Sequence, residues 1–266
     1  MLENINLKIK LSREEYKRLV PGLQTRLYDL EKACWDNGVP SMIVFEGWDS
    51  SGKGTTISAL TQRLDPRGFK LYPITAPRTY EQQYPWLWRF WLKVPNRGEM
   101  VIFDHSWYGR VMEERVERTI SQKAWRQAYR DIVEFERMLA DDGTVILKFF
   151  LHISKKEQKR RFQMIEANPL EAWRVTREDW ARHKKYGEYR DACEEMLELT
   201  ESEYAPWIIV EATSRWHARR KVFDTIIGAL ERRLGERAPR WAELSTATAK
   251  DAELRAAMES LSGGGL

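Results

Sequence analysis

Five short apolar segments, each separated from the next by a stretch with helical features, restrict the folds open to this chain more than any other part of its sequence. They span residues 42–45, 71–74, 100–103, 145–151 and 207–210. Nearly continuous apolar runs are typical of strands covered on both faces, and their alternation with helices is typical of a parallel sheet. The sequence therefore predicts an α/β fold of three layers, with a five-stranded parallel sheet between helices.

The segments outside this alternation predict one domain with a tail. A capping-box sequence begins at Ser12 and is followed by leucines at helical spacing, which predicts an N-terminal helix over residues 12–38. After Pro239 the chain becomes rich in Ala and Ser, with a single weak helical segment. We therefore expect one domain over residues 1–238 and an accessory tail over residues 239–266.

The composition excludes several classes of protein. Lys and Arg number 44 against 40 Asp and Glu, and the mean hydropathy of −0.60 excludes a membrane protein and argues against disorder. The start of the chain lacks the basic and apolar segments of a secretion signal. Cys34 and Cys193 are too few for a disulfide framework or a zinc site. We therefore expect a soluble, cytoplasmic protein with reduced thiols and no membrane partner.

The first apolar run leads directly into a glycine-rich loop of the kind that binds phosphate. The sequence from Gly47 to Gly54 is GWDSSGKG, and a segment compatible with a helix follows it. In such a loop the backbone N–H groups converge on phosphate oxygens, the helix N-terminus favours the anion, and the lysine supplies a positive charge. The predicted phosphate-binding residues of the loop are Gly47, Ser50, Ser51, Gly52, Lys53, Gly54 and Thr55.

The loop departs from the usual pattern at the position that ordinarily holds Mg²⁺. Ser or Thr normally follows the lysine there, whereas Gly54 has no side chain. Asp49, inside the loop, would repel phosphate unless a Mg²⁺ bridges the two groups. Asp104 ends the third apolar run in the position of a Walker B aspartate, although a helix cap is an alternative role for it. We therefore predict that Asp49 and Asp104 hold Mg²⁺.

Two arginines are predicted to lie at the same edge of the sheet. Arg78 follows the second apolar run and Arg110 follows the third. Ligands bind at the carboxyl ends of strands in open α/β sheets, where a guanidinium group can fork onto phosphate. Arg78 alone is equally compatible with an ordinary surface position. No pair of nucleophile and general base is visible, which suits an acceptor that is itself a phosphate and needs no base.

Positive charge concentrates between the last two apolar runs. Residues 155–190 contain 11 Lys and Arg but only 6 Asp and Glu. N-cap residues at Ser154 and Thr176, with Asn168 and a proline between them, predict a two-helix insertion. Two interpretations remain open, a solvated helical hairpin and a helical lid over about residues 154–200. For the lid, the predicted phosphate-binding residues are Arg160, Arg161, Arg174 and Arg177.

These motifs together resemble a known family, the type 2 polyphosphate kinases, which phosphorylate nucleotides from inorganic polyphosphate. The resemblance spans about residues 12–235. It rests on EGWDSSGKG from Glu46, LWR from Leu87, FDHSWYGR from Phe103, ERV from Glu114, APW from Ala205 and AR from Ala218. The form WYGR, rather than Trp-Tyr-Asn-Arg, is most similar to the branch that converts AMP to ADP.

The resemblance implies a P-loop kinase fold with a helical lid over a polyphosphate channel. It implies that Asp49, Lys53, Asp104 and Arg110 bind metal and phosphate, with Glu114 as an accompanying site residue. Two features depart from the family pattern. His105 stands where the family usually has Arg, and the residues from Thr213 to Trp216 replace a more acidic stretch. We keep His105 as a phosphate-binding candidate, although a neutral imidazole cannot make the bidentate contact of an arginine.

The resemblance and the charge distribution predict a Mg²⁺-dependent enzyme that transfers the terminal phosphoryl group of polyphosphate to a nucleotide. AMP is the expected acceptor, with ADP and GMP as alternatives, and a basic groove suits a donor that has no base or sugar to recognise. An ATP-dependent nucleoside monophosphate kinase is the nearest alternative, against which Gly54 argues. A nucleic-acid-binding protein with a degenerate P-loop is a second alternative, against which Lys53 and Asp104 argue. We expect a homodimer or homotetramer that binds no nucleic acid.

Overall fold

The computed structural model describes residues 2–237, and these contain the predicted parallel sheet. Its strands are β1 (Ser41–Gly47), β2 (Phe69–Pro73), β3 (Met100–Asp104), β4 (Val145–His152) and β5 (Trp207–Glu211). All neighbouring strands are parallel, in the order β2-β3-β1-β4-β5. Each predicted run overlaps one strand, so the predicted α/β sheet is confirmed.

Helices cover both faces of the sheet. Within the described residues they are α1 (Arg13–Asp36), α2 (Lys53–Thr61), α3 (Trp88–Trp91), α4 (Glu113–Val116), α5 (Gln122–Asp141), α6 (Lys155–Glu166), α7 (Arg177–Lys184), α8 (Tyr186–Leu199) and α9 (Arg215–Arg237). The crossover from β1 to β2 runs along the sheet in the opposite direction to the crossovers from β3 to β4 and from β4 to β5. Right-handed crossovers of opposite direction place their helices on opposite faces. Accordingly, α1, α2 and α9 pack as one group and α4, α5 and α8 as another, which gives the predicted three layers.

β2 is an exception to the expected burial of every strand on both faces. It lies at the edge of the sheet, next to β3 alone, and Lys70, Leu71 and Pro73 are exposed. Lys70 forms an ion pair with Glu99 at 2.8 Å, and charged residues are common on edge strands. The expectation of two-sided burial is wrong for β2: Phe69 and Tyr72 pack against the core, but the edge position leaves the other three side chains uncovered.

The basic segment, which is residues 155–190, contains the start of one helix more than the sequence predicts. Its caps are as expected: the Ser154 hydroxyl accepts the N–H of Glu157, and Thr176 and Asp179 form a reciprocal capping box. After α6 and α7, however, the chain continues into α8, which buries the apolar residues Ala192, Cys193, Met196 and Leu197 in the core. The prediction of a two-helix insertion is therefore wrong, because the high charge up to Arg190 conceals an apolar helix face that follows it.

Of the two predicted ends of the chain, the structure describes only the N-terminal one. α1 begins after its predicted cap, since the Ser12 hydroxyl accepts the N–H of Glu15. The predicted tail at residues 239–266, including its weak helix between Thr248 and Ser260, lies outside the described residues. Among the helices of residues 2–237, none combines the length and apolar character needed to cross a lipid bilayer.

Candidate active site

The glycine-rich loop joins β1 to α2 at the carboxyl edge of the sheet. Gly47 has a φ of +132°, and a Cβ there would lie 2.4 Å from the carbonyl oxygen of Leu151 on β4. Gly52, with a φ of +106°, is the N-cap of α2 and offers no side chain to cap it. Both backbone conformations favour glycine. Because no side chain caps α2, its first N–H groups can bind an anion.

Lys53, the first residue of α2, lies beneath this loop. Its ammonium group donates to the carbonyl oxygens of Gly47 at 2.8 Å and Trp48 at 3.2 Å, and the residue is buried. The lysine charge is therefore held within the loop.

The small residues of the loop differ in how their polar groups are used. Ser50 adopts a φ of +56°, and the Thr55 hydroxyl donates to the carbonyl oxygen of Gly52. The Ser51 hydroxyl is buried and has no hydrogen-bond partner within residues 2–237. A Cβ added at Gly54 would meet no described atom within 4 Å, so the missing Ser or Thr is not a matter of space.

Asp49 is paired with an arginine of the basic segment. Arg182 on α7 donates from Nε to Asp49 Oδ2 at 2.8 Å, and its guanidinium also binds Asp179. Burial lowers the pKa of Arg182, but Asp49 and Asp179 raise it by more, so the arginine stays charged. This ion pair connects the basic segment directly to the loop. Arg182 is absent from the predicted site, because the sequence does not reveal which arginine of a charged segment faces the loop.

Asp104 ends β3 beside β1, where its Cα pairs in register with that of Phe45. Its Oδ1 atom is buried and has no hydrogen-bond partner in the part of the chain that the structure describes. A buried carboxylate oxygen without a partner is costly unless a ligand satisfies it. Asp104 is thus the last residue of β3, and Asp49 lies in the loop that follows the neighbouring strand β1, so both are at the carboxyl edge of the sheet.

A second group of titratable side chains lies beside Asp104. His105 Nδ1 is 3.4 Å from Glu46 Oε2 and 3.8 Å from Glu113 Oε1. Glu46 is fully buried on β1 and accepts the Ser106 hydroxyl at 2.7 Å. Desolvation and Lys53 lower the pKa of His105, but Glu46 and Glu113 raise it by more. Desolvation and Glu46 raise the pKa of Glu113. Glu46 and Glu113 are absent from the predicted site, although Glu46 immediately precedes the loop.

Arg110 lies in the 3₁₀ turn that follows β3. Its Nη1 donates to Glu114 at 2.6 Å, and its guanidinium carbon lies 5.5 Å from the centre of the Trp86 ring. Its Nε is buried without a hydrogen-bond partner among the described residues. Glu114 thus pairs with Arg110. Arg78 lies after β2 with its side chain exposed.

The four predicted arginines of the basic segment have different surroundings. Arg161 uses all five N–H groups within the protein: it binds Glu157 and the carbonyl oxygens of Ser50, Ser51, Ala212 and Thr213. It has no donor left for phosphate in this structure, so we interpret it as a residue that positions the loop. Arg160, Arg174 and Arg177 are exposed, the first two with salt bridges to Glu157 and Glu171.

A buried polar network supports the turn that carries Arg110. Lys148 on β4 is fully buried and donates to Glu136 and the Tyr108 hydroxyl, at 2.8 Å and 2.9 Å. Glu136 on α5 also accepts from the Trp107 indole and the Tyr108 hydroxyl. Every member of this network has a partner, which fixes the two aromatic residues that precede Arg110.

Comparison with known proteins adds family information to this geometry. A family model described as polyphosphate kinase 2 matches residues 10–238. The chain is 40% identical over 232 residues to a polyphosphate:AMP phosphotransferase from Pseudomonas syringae pv. tomato, covering 87% of this chain and 47% of that protein. It is 37% identical over 210 residues to an AMP/ADP-polyphosphate phosphotransferase from Meiothermus ruber, covering 79% of each.

The fold is also similar to a solved structure. The crystal structure of polyphosphate kinase 2 from Arthrobacter aurescens TC1 matches with a TM-score of 0.84 and 30% identity, covering 87% of this chain and 85% of that one. The chain spans about half the length of the first curated relatives that it matches.

Proposed function

The chain belongs to the polyphosphate kinase 2 family, and we propose that it transfers the terminal phosphoryl group of inorganic polyphosphate to a nucleotide, with AMP as the preferred acceptor. The observation that carries this proposal is the combination of a phosphate-binding loop that lacks the usual Ser or Thr with two carboxylates, Asp49 and Asp104, at its edge. The acceptor rests on the name of the 40% identical relative and on the WYGR sequence.

The two aspartates suit Mg²⁺, which prefers carboxylate oxygens. Asp104 Oδ1 is buried and has no hydrogen-bond partner within residues 2–237, as expected of an oxygen that binds a cation. Asp49 is only partly buried, and its Oδ2 is shared with the long side chain of Arg182. When bound, the cation supplies positive charge that offsets the negative charge of the phosphates.

The residues of the chain contribute positioning and charge. The N–H groups at the start of α2 and the Lys53 ammonium bind the transferring phosphoryl group, since both are held at the loop. Glu114 and Trp86 orient the Arg110 guanidinium. Its N–H groups that do not bind Glu114 donate to phosphate oxygens. Phosphoryl transfer needs little more than such positioning and electrostatic stabilisation.

The basic segment acts as the lid for the polyanionic donor in this proposal. Exposed Arg160, Arg174 and Arg177 provide charge, and Arg182 brings α7 to within hydrogen-bond distance of the loop. A narrow pocket beside the loop is lined by Trp48, Asp49, Glu113, Arg182 and Tyr186, among others. Electrostatic attraction between these arginines and the donor needs no base or sugar on the donor, and it is weakened by salt.

One assay tests the proposal. The purified chain is incubated with Mg²⁺ and AMP, and either long-chain polyphosphate or ATP is added while ADP is measured by chromatography. We expect ADP to form from polyphosphate and only slowly from ATP, with GMP and ADP as the further acceptors to test. The matched control is Lys53→Ala, which removes the loop charge and should abolish the reaction. Faster turnover with ATP would instead identify a nucleoside monophosphate kinase.

A further inference from the structure

The spacing of Glu46, His105 and Glu113 fits a small coordination sphere. The imidazole Nδ1 lies 3.4 Å and 3.8 Å from one oxygen of each glutamate, and the three ligand atoms lie within 4.8 Å of one another. Two ligand atoms that are each about 2.1 Å from a tetrahedral cation lie about 3.4 Å apart. The His105–Glu46 pair already has this separation. A shift of about 1 Å in the partly exposed Glu113 side chain would complete the set.

An unsatisfied buried atom is directed into this cluster. Glu46 is 0% exposed, and its Oε1 accepts the Ser106 hydroxyl. Its Oε2, which faces His105, has no hydrogen-bond partner in residues 2–237, and neither does Glu113 Oε2. A separation of 3.4 Å from Nδ1 is too long for a good N–H···O hydrogen bond. A buried carboxylate oxygen in this state is costly unless it is satisfied, and a cation would satisfy it.

Rigid elements hold two of the three side chains. Glu46 lies within β1, and His105 follows β3, where its backbone N–H donates to the carbonyl oxygen of Phe45 on β1. The φ of His105 is +62°, in the left-handed region that residues other than glycine seldom adopt. Ligands on neighbouring strands need little reorganisation to bind.

We propose that Glu46, His105 and Glu113 bind a divalent transition cation such as Zn²⁺ or Co²⁺, at a site separate from the Mg²⁺ proposed at Asp49 and Asp104. One imidazole and two carboxylates favour Zn²⁺ and Co²⁺ over Mg²⁺, which prefers oxygen ligands alone. The site depends on the histidine. The arginine that the family resemblance leads one to expect at this position would place a fixed positive charge where the imidazole offers a lone pair.

Metal binding without substrates tests this site and does not depend on the proposed phosphotransfer. The full chain, freed of metal with a chelator, is titrated with Zn²⁺ by calorimetry and with Co²⁺ by visible absorption. We expect a site that requires His105 and binds Zn²⁺ at least about tenfold more tightly than Mg²⁺. His105→Asn, chosen because Asn tolerates positive φ, should weaken Zn²⁺ binding at least about tenfold and remove the Co²⁺ absorption band.

Three further variants show whether the effect is specific to this cluster. His217→Asn removes another histidine that contacts a glutamate, Glu211, and should leave Zn²⁺ affinity unchanged. Asp49→Asn should also leave it unchanged, because Asp49 belongs to the other proposed site. Glu113→Gln should weaken Zn²⁺ binding as His105→Asn does. The partly exposed Glu113 is the glutamate to substitute, because an amide in place of the fully buried Glu46 carboxylate could prevent folding.

Unchanged Zn²⁺ affinity in His105→Asn would overturn the proposal, as would a loss in Asp49→Asn equal to that in His105→Asn. His105→Arg should lose Zn²⁺ binding while it keeps or increases Mg²⁺-dependent ADP formation from polyphosphate. If wild-type protein binds Zn²⁺ through His105 but forms no ADP, only the proposed function fails.

Discussion

At the scale of single residues, substitution of the two proposed cation ligands, Asp49 and Asp104, tests the site most directly. Asp49→Asn and Asp104→Asn each remove a negative charge from the proposed cation site, and we expect each to lower turnover by about 10²-fold or more. Steady-state ADP formation measures the loss, and circular dichroism checks the fold. Asp65→Asn, which alters a carboxylate paired with Arg67, is the matched control and should retain activity. Full activity in either loop variant would contradict the two-carboxylate assignment.

His152 provides a prediction about pH. The Trp48 indole donates to His152 Nδ1 at 2.8 Å, and burial lowers the pKa of His152 from 6.5 to about 4. As the pH falls from 6.5 towards 4, the unfolded chain takes up a proton at this position that the folded chain does not. Folding stability should therefore fall by about 3 kcal/mol over this range.

Urea unfolding at about pH 7 and about pH 4.5, in wild type and His152→Gln, measures this effect. Glutamine keeps an acceptor for Trp48 but does not titrate, so the variant should lose less stability on acidification. Burial raises the pKa of Glu31 to about 7, which favours the folded state at low pH and has the opposite sign. Because Glu31 is present in both proteins, their difference isolates His152. Parallel pH profiles would exclude His152 as the source.

At the scale of elements, Arg161 connects three segments: α6, the glycine-rich loop and the residues after β5. Because its side chain satisfies four backbone carbonyl groups and Glu157, Arg161→Gln should cost about 3 kcal/mol of stability and lower the melting temperature. Arg160→Gln is the matched control, since its exposed ion pair with Glu157 contributes about 1 kcal/mol or less. Equal melting temperatures for the two variants would refute the positioning role.

The strands and helices were easier to predict from the sequence than the contacts between their side chains. The strands, the loop and the helix caps follow from local patterns of apolar, glycine and capping residues, and these were predictable. Arg182 and Glu113 were not, because their contacts with Asp49 and His105 depend on how the folded chain brings side chains together. The burial of α8 was missed for a related reason. A helix is buried by one apolar face, and the average charge of a segment does not show whether such a face is present. The exposure of β2 follows from its position at the edge of the sheet, and the apolar residues of a strand do not show where in the sheet it lies.

At the scale of the whole molecule, the location of the positive charge predicts the kinetics. Neutralising exposed Arg174 and Arg177 with glutamine should raise the KM for long polyphosphate much more than the KM for AMP, which carries a single phosphate. Added salt should reproduce the effect in wild type, because exposed charges are screened over about 8 Å at physiological ionic strength. The measurement is a titration of each substrate at two salt concentrations.

A charge-matched control separates this local effect from that of net charge. Arg130→Gln with Arg137→Gln removes two exposed charges from α5, outside the basic segment, and should leave both KM values unchanged. Equal changes for polyphosphate and AMP, or the same changes in the α5 variant, would contradict a role of the basic segment in donor binding.

The ion pair between Asp49 and Arg182 would link the two binding equilibria of the proposed function, those of the cation and of polyphosphate. A cation that takes Asp49 Oδ2 competes with the guanidinium already bound there at 2.8 Å, so part of its affinity is spent on displacement. The displaced arginine then becomes available to a polyanion at the same edge of the sheet. Under the proposed function, cation and polyphosphate would therefore each strengthen the binding of the other, and thermodynamic reciprocity requires the two enhancements to be equal. If the proposed function holds, Arg182, which competes with the cation for Asp49, would thus make the binding of cation and polyphosphate cooperative.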